Sequence, residues 1–418
     1  MKRLIVFLNT DRVGTLEQDD SGLVLFQYDP SWIEKPDSIP LSRSLPLTSE
    51  MFKGKKARPF FAGILPEEQP RKIIARILGI SNANDFAMLE RIGGECAGAV
   101  SLLPEDSIIT GVKQSVYREL TEAELIQIVA ELPGRPLMAG SEGIRLSLAG
   151  VQDKLPVILR ENKICLPLDN TPSTHILKPE PGRFPGLAAN EFFCMTLAHS
   201  VGLPVPAIEY RLIGATPSIL VQRYDRRIDE EGNIVRLHQE DFCQALGFPP
   251  ERKYQKEGGP SLFDCVSLIR DWSTLPVLDI NGFVSILIFN VLIGNADAHG
   301  KNFSFLYSGN ERRLSPYYDM VSTIAWPNLS RDLAMKIGDC QSIDAFMLND
   351  WEKMAKKANL GWPMIRERME KSCNDILKQL DEVQITTKEH KEAIAISLNK
   401  EIKGRANTML RSLSAHGK

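Results

Sequence analysis

Leu292-Ile-Gly-Asn-Ala-Asp297-Ala-His-Gly-Lys-Asn302-Phe-Ser-Phe-Leu-Tyr307, a polar turn, then Leu314-Ser-Pro-Tyr-Tyr-Asp319: this stretch decides how the chain is read. Asp297 is followed by four residues and then Asn302, and a second carboxylate, Asp319, comes after a further apolar run, turn and run. Upstream, Phe283 to Ile293 is almost unbroken apolar sequence, which predicts a buried helix ended by Gly294 and Asn295. Phe303 to Tyr307 predicts a strand, Ser308-Gly309-Asn310-Glu311 a hairpin turn, and Leu314 to Tyr318 the returning strand. Asp297 and Asn302 then sit on the loop before the hairpin, with Asp319 at its exit. Phosphoryl transfer from a nucleotide needs such a set. One carboxylate accepts the hydroxyl proton, while an amide oxygen and a second carboxylate hold magnesium. Isolated Asp and Asn residues are ordinary loop caps; the helix before them and the second Asp after the hairpin favour chemistry.

At 418 residues the chain exceeds one ordinary core, so two or three substructures are expected. Hydrophobic content of 43% and charged content of 25% belong to a soluble globular class. A net charge of −3 and a pI near 6.2 exclude a surface that is basic all over, though not a local basic patch. The seven cysteines are scattered without a Cys-x-x-Cys pair, which suits a reducing cytosol and supports neither a disulfide framework nor structural zinc. The N-terminal Met-Lys-Arg-Leu-Ile-Val-Phe-Leu-Asn has too short an apolar run for a signal peptide and predicts a first strand. No stretch approaches the roughly 20 apolar residues of a bilayer span. The expectation is a cytoplasmic protein with no membrane partner.

Three segments are expected in order. Residues 1–140 read as an accessory domain: a small antiparallel sheet over Leu4–Leu8, Val13–Leu16 and Leu23–Tyr28, Pro-rich ordered loops, and helices through Leu78, over Asp85–Ile92 and from the capping box Thr121-Glu-Ala-Glu124. No chemical constellation stands out there. Residues 141–236 are strand-rich, with strands over Ile144–Leu148, Leu155–Arg160, Ile164–Leu168, Thr174–Lys178 and Ser218–Tyr224, and a helix over Ala188–Val201 stopped by Gly202. Residues 237–418 are mostly helical, ending in helices over Pro363–Leu380 and Thr387–Leu413. The fold class expected is α+β and two-lobed, sheet-rich and then helical.

A phosphoryl-transfer site also needs a cation on the phosphates and a turn whose amides face them. Lys178 in a strand and Glu191 in the next helix resemble the ion pair that positions phosphates in protein kinases. Other readings stay open: an edge-strand lysine that discourages aggregation, and a first-turn glutamate on the helix dipole. The turn Ala149-Gly150-Val151-Gln152-Asp153-Lys154 has one glycine and no Gly-x-Gly-x-x-Gly, and Lys154 adds charge. Gln222-Arg223-Tyr224 is placed to grip adenine through main-chain groups. His299 and Lys301 read either as supports of the acidic loop or as a structural histidine and a solvated lysine.

Ser147-Leu-Ala-Gly-Val-Gln-Asp-Lys154, Thr174-His-Ile-Leu-Lys178, Asn190-Glu191, Arg223-Tyr-Asp-Arg-Arg227, Gln239-Glu-Asp-Phe-Cys-Gln244, Tyr254 with Gly258-Gly-Pro260, Asn295-Ala-Asp-Ala-His-Gly-Lys-Asn302 and Pro316-Tyr-Tyr-Asp319 form a series in chain order. Taken together they resemble the motifs of the HipA family, serine/threonine-kinase toxins of bacterial toxin–antitoxin modules. Arg12-Val13-Gly14, Ser42–Pro46 and Phe61–Pro66 are similar to that family's N-terminal domain. The resemblance implies a eukaryotic-kinase-like core using ATP and Mg2+. It makes Asp297 the catalytic base, Asn302 and Asp319 the magnesium ligands, Lys178 the phosphate-contacting lysine, and Ala149, Gly150, Val151, Gln152, Asp153 and Lys154 the phosphate loop. Gln222, Arg223 and Tyr224 become the hinge, and His299, Gly300, Lys301 and Asn302 with Tyr318, Asp319, Met320 and Val321 complete the nucleotide site. It implies autophosphorylation at Ser147 that switches the kinase off. It further implies a glutamyl-tRNA synthetase target, growth arrest and persistence, and a small HipB-like DNA-binding antitoxin through which operator DNA is mainly reached and the operon co-repressed.

Two departures are visible. Gln222 stands where other members carry Glu, and Lys336-Ile-Gly-Asp-Cys340 is poor in the Lys and Arg that direct DNA contact wants. The alternatives carried forward are a small-molecule kinase of antibiotic or lipid type, which shares the Asp-x-x-x-x-Asn loop, and a catalytically silent co-repressor.

Overall fold

The computed structural model describes residues 2–105, 116–345 and 347–415. The chain divides into two compact units. The first comprises Met1–Pro181, Arg211–Pro250 and Phe305–Arg312; the second comprises Gly182–Tyr210, Glu251–Ser304 and Arg313–Lys418. The first is sheet-rich and the second helical, which gives the α+β class expected.

Alternation of apolar and polar residues shapes the first unit. A five-stranded antiparallel sheet takes Lys2–Leu8, Asp11–Gln18, Val24–Tyr28, Phe52–Lys53 and Val100–Pro104, with Lys2–Leu8 inside, flanked by Asp11–Gln18 and Val100–Pro104. Leu4, Val6, Val13, Leu16 and Phe26 point to one buried side, where Phe60 and Phe61 pack. A second, six-stranded sheet runs through Leu155–Arg160, Lys163–Pro167, His175–Pro179 and Thr216–Gln222; Lys178 stands opposite Ile219.

Ile144 to Leu148, expected as a strand, is extended but belongs to no sheet. Its main chain is held one residue at a time. Glu95 N–H donates to the Arg145 carbonyl and Ser147 N–H to the Glu95 carbonyl, both at 2.8 Å, and the next bridge pairs Gly150 with Pro66. The residues have strand-like alternation but lack a neighbour that continues the ladder.

Glu240, on the short strand Gln239–Asp241, is wholly buried beneath Ser42 Oγ (2.5 Å), Arg43 N–H (3.1 Å) and the Tyr307 hydroxyl (2.5 Å). Burial outweighs these donors and pushes its carboxyl from 4.5 up to about 7. The folded chain therefore keeps a proton that the unfolded chain releases, so stability falls as pH rises from 4.5 towards about 7. Glu240→Gln should flatten that fall in thermal melts taken across this range; slopes matching the parent's would refute the protonated carboxyl.

In the second unit, Leu262–Trp272 opens on a capping box in which Asp264 accepts from Ser261 N–H (2.9 Å) and Oγ (2.6 Å). Pro276–Ile293 follows, with mean hydropathy 1.9 over 18 residues. Its apolarity is that of a core helix, since Phe283, Ile286, Phe289, Leu292 and most neighbours are buried within the unit. The hairpin strand after it spans Glu311–Leu314, shorter and earlier than expected; Ser315 N–H still reaches the Ser304 carbonyl at 2.9 Å, but Pro316 has no N–H with which to continue the ladder.

Helical residues run from Trp362 to Ala415. Arg366 Nη2 nevertheless reaches the Leu413 carbonyl at 3.0 Å, and Asn399 Nδ2 reaches that of Leu380 at 3.3 Å. A straight helix would hold the first pair about 70 Å apart, so the span doubles back as two antiparallel arms, close to the two helices expected. Of the basic residues on the second arm, Arg405 turns inward, its Nε on the Val291 carbonyl at 2.8 Å.

Candidate active site

The acidic loop is built from the end of Pro276–Ile293. Gly294 takes a left-handed conformation (φ 73°) and closes the helix on the Asn290 and Val291 carbonyls; a Cβ there would meet the Ile324 side chain at 2.3 Å. Asn295 N–H bonds the Asn290 carbonyl at 2.8 Å, and the Asn295 side chain donates to Asn290 Oδ1 at 2.9 Å. The Asn295 amide oxygen then accepts Asp297 N–H at 3.0 Å. The backbone of Asp297 is thus fixed by two side-chain amides on its N-terminal flank, while its carboxylate stays exposed.

Asn302 lies at the end of the 3-10 turn Gly300–Asn302 and faces two ways. Its Oδ1 accepts His299 N–H (3.0 Å), and its Nδ2 donates to Asp319 Oδ2 at 3.1 Å. Asp319 has φ 61°, a left-handed conformation uncommon outside glycine, and it is held there from both sides. Before it, the Tyr318 hydroxyl donates to the Lys301 carbonyl (2.9 Å) and lies 2.7 Å from Ser304 Oγ. After it, the buried Asn190 side chain grips Ser322 at both N–H (2.8 Å) and carbonyl (3.1 Å). Thr323 Oγ1 stitches the segment to the loop, accepting Ala296 N–H at 2.9 Å and donating to the Gly294 carbonyl at 3.1 Å. Met320 is buried and Val321 half-buried beside them. Arg313 and buried Asp279 form a two-pronged pair, Nη2 donating to Oδ1 at 2.9 Å and Nε to Oδ2 at 3.2 Å, that ties the hairpin exit to the helix start.

A set of one amide and one carboxylate, with a second carboxylate near in sequence, suits magnesium. That ion takes one or two carboxylates plus substrate phosphates rather than an all-protein cage. No cluster of three or more His, Cys, Asp or Glu ligands occurs among the described residues.

The other candidates lie in the first unit, apart from Glu191. Lys178 is 8% exposed, one residue before the end of His175–Pro179. Glu191 is buried on Leu187–Ser200, which belongs to the second unit. In the turn 149–154, Gly150 has φ 108° and its carbonyl accepts Glu67 N–H at 3.2 Å. Lys154 Nζ donates back to the Ala149 carbonyl at 2.6 Å, so the turn is closed on its own lysine, with Val151, Gln152 and Asp153 half-buried. Gln222 is exposed at a strand end. Arg223 N–H is committed to the Thr174 carbonyl (2.9 Å) and its guanidinium is buried against Asp225 and Glu95, which leaves its carbonyl for any nucleotide contact. Ser147 is fully buried, its hydroxyl donating to the Ile64 carbonyl at 3.1 Å.

Sequence reasoning missed what holds these groups. Asn190 and Tyr254 stood in motifs without a role, and Thr323, Asp279 and Glu95 gave no sign. Only the Asn190-Glu191 and Tyr254 motifs hinted at them.

Comparison with known proteins gives a family. A model described as the HipA-like C-terminal domain matches residues 146–383, and one described as the HipA N-terminal domain matches residues 4–103. A Sinorhizobium fredii protein is 46% identical over 360 residues, covering 85% of this chain and 86% of the relative. The serine/threonine-protein kinase toxin HipA of Shewanella oneidensis is 32% identical over 323 residues, covering 75% and 73%. The solved complex of the Shewanella oneidensis toxin HipA with HipB and operator DNA contains a chain that superposes with TM-score 0.87 at 26% identity, covering 99% of this chain and 98% of that one.

Proposed function

The chain belongs to the HipA family of kinase toxins, and from that premise we propose that it is a serine/threonine-protein kinase using Mg-ATP. The observation that carries the reading is the 3.1 Å contact of Asn302 with Asp319 on a loop that also presents Asp297 to solvent. Asp297 accepts the proton of the acceptor hydroxyl. Asn302 and Asp319 hold magnesium, which when bound offsets the charge of the phosphates. Lys178 adds a cation on the phosphates, and turn 149–154 is the phosphate loop. Gln222 to Tyr224 receive the adenine through main-chain groups.

The protein substrate is a translation factor of the aminoacyl-tRNA synthetase kind, and its phosphorylation in the cytoplasm arrests growth. A small DNA-binding antitoxin resembling HipB neutralises the chain and carries it to operator DNA, as the composition of the Shewanella oneidensis complex suggests.

Ser147 is the autophosphorylation site. Its hydroxyl is buried on Ile64, so the phosphate is added and retained only when segment 145–150 leaves its place between Glu95 and Pro66. A dianionic phosphate has no room in that position. Intact mass spectrometry after Mg-ATP should show a gain of one phosphate that Ser147→Ala removes. Modified chain should also become cleavable by protease around residues 145–154. A wild-type chain that neither gains mass nor labels lysate proteins from γ-labelled ATP would refute the kinase reading.

A further inference from the structure

Tyr254 and Gly258-Gly259 have no part in the chemistry above, yet the Tyr254 hydroxyl donates to Asp297 Oδ1 at 2.8 Å. The turn that presents it is a fixed construction. Glu257 and Gly259 N–H both donate to the Tyr254 carbonyl at 3.0 Å, and Gly258 sits at φ 80°. A Cβ on Gly259 would lie 2.1 Å from the Arg252 carbonyl oxygen and 2.8 Å from that of Tyr254, so only glycine lets the turn close there. Gln255 Oε1 tethers the turn by accepting Lys336 N–H at 2.7 Å. The tyrosine ring stands edge-on to His299, centroids 5.3 Å apart, with the Lys253 ammonium 5.4 Å from its centre.

The geometry assigns Tyr254 as the positioning residue for the catalytic base, an inference that rests on the kinase reading of Asp297. An exposed aspartate on a loop samples several side-chain rotamers. A donor of fixed position on Oδ1 selects one of them and leaves Oδ2 for the acceptor hydroxyl. The Gly258-Gly259 turn exists to hold that donor still, and His299, inside the acidic loop, braces the ring. Tyr254 acts through Asp297, the group its hydroxyl bonds.

The test is label transfer from γ-labelled Mg-ATP to the full chain, for wild type, Tyr254→Phe and Asp297→Asn. Positioning affects the chemical step, so Tyr254→Phe should slow transfer at saturating ATP about tenfold while half-saturating ATP and the melting temperature hold steady. Wild-type rates in Tyr254→Phe, beside a silent Asp297→Asn, would overturn the inference and leave the kinase reading intact. So would a parallel rise in half-saturating ATP and fall in melting temperature, which mark a structural role. An active Asp297→Asn would instead remove the base itself and with it the premise.

Discussion

Asp297→Asn should lower phosphate transfer by about a hundredfold to ten-thousandfold, the range a general base contributes, and leave nucleotide affinity near the parent's. The substitution preserves shape. The amide can still accept from Tyr254 and Asn295 can still accept the backbone N–H, so the loop should keep its form. What is lost is the anionic oxygen that, in the proposed mechanism, takes the acceptor's proton. Asp319→Asn offers the contrast. If Asp319 holds magnesium as proposed, the deficit of this variant should shrink as Mg2+ is raised, whereas that of Asp297→Asn should not. Calorimetric ADP binding and label incorporation, measured side by side across a Mg2+ series, separate the two. An Asp297→Asn chain rescued by Mg2+ would exchange the roles given to the two carboxylates.

How much of this was legible depends on the range of the interaction. The helix Pro276–Ile293 and its end were readable because an apolar run and a left-handed glycine are signals within one or two turns. The meeting of Asn302 with Asp319 was readable because the two flank a hairpin, the shortest non-local structure. Ile144 to Leu148 misled because alternation reports burial on one face, and here Glu95 and Ile64 bury it without a strand partner. Tyr254 lies 43 residues from the carboxylate it donates to, and nothing near either residue encodes the meeting. Asn190 is further still from Ser322, at 132 residues. Side chains that hold a site are invisible wherever their partner arrives from another part of the fold.

Glu95 is the clearest such case, and its removal should produce the largest loss of stability. Locally it belongs to a helix stop, Gly93-Gly94-Glu95. In the fold it is 1% exposed, and arginines from 128, 131 and 141 residues downstream converge on it. Its Oε1 accepts from Ser173 N–H and Oγ (both 3.0 Å), Arg223 (3.2 Å) and Arg226 (2.8 Å), while Oε2 accepts from Arg236 (2.8 Å). Burial alone would raise the carboxyl; Arg226, Arg236 and Arg223 together override it and hold the group well below the usual carboxylate range. A depressed carboxyl adds stability at neutral pH that is lost on acidification below the ordinary carboxylate range. The main chain of Glu95 also clasps Arg145 and Ser147, so one residue anchors both the segment that carries Ser147 and, through Arg223, the end of strand Thr216–Gln222. Removing one member of a buried charge cluster costs about 3–5 kcal/mol, because the partners stay buried without a counter-charge. Glu95→Ala should therefore unfold in urea with a free energy lower by about that amount. Adding Arg226→Met to it should cost less than the sum of the single changes, since Arg226 has by then lost one of its two acidic partners. A Glu95→Ala chain within about 1 kcal/mol of the parent, far below what an orphaned buried guanidinium demands, would show that the cluster is not held together by this carboxylate.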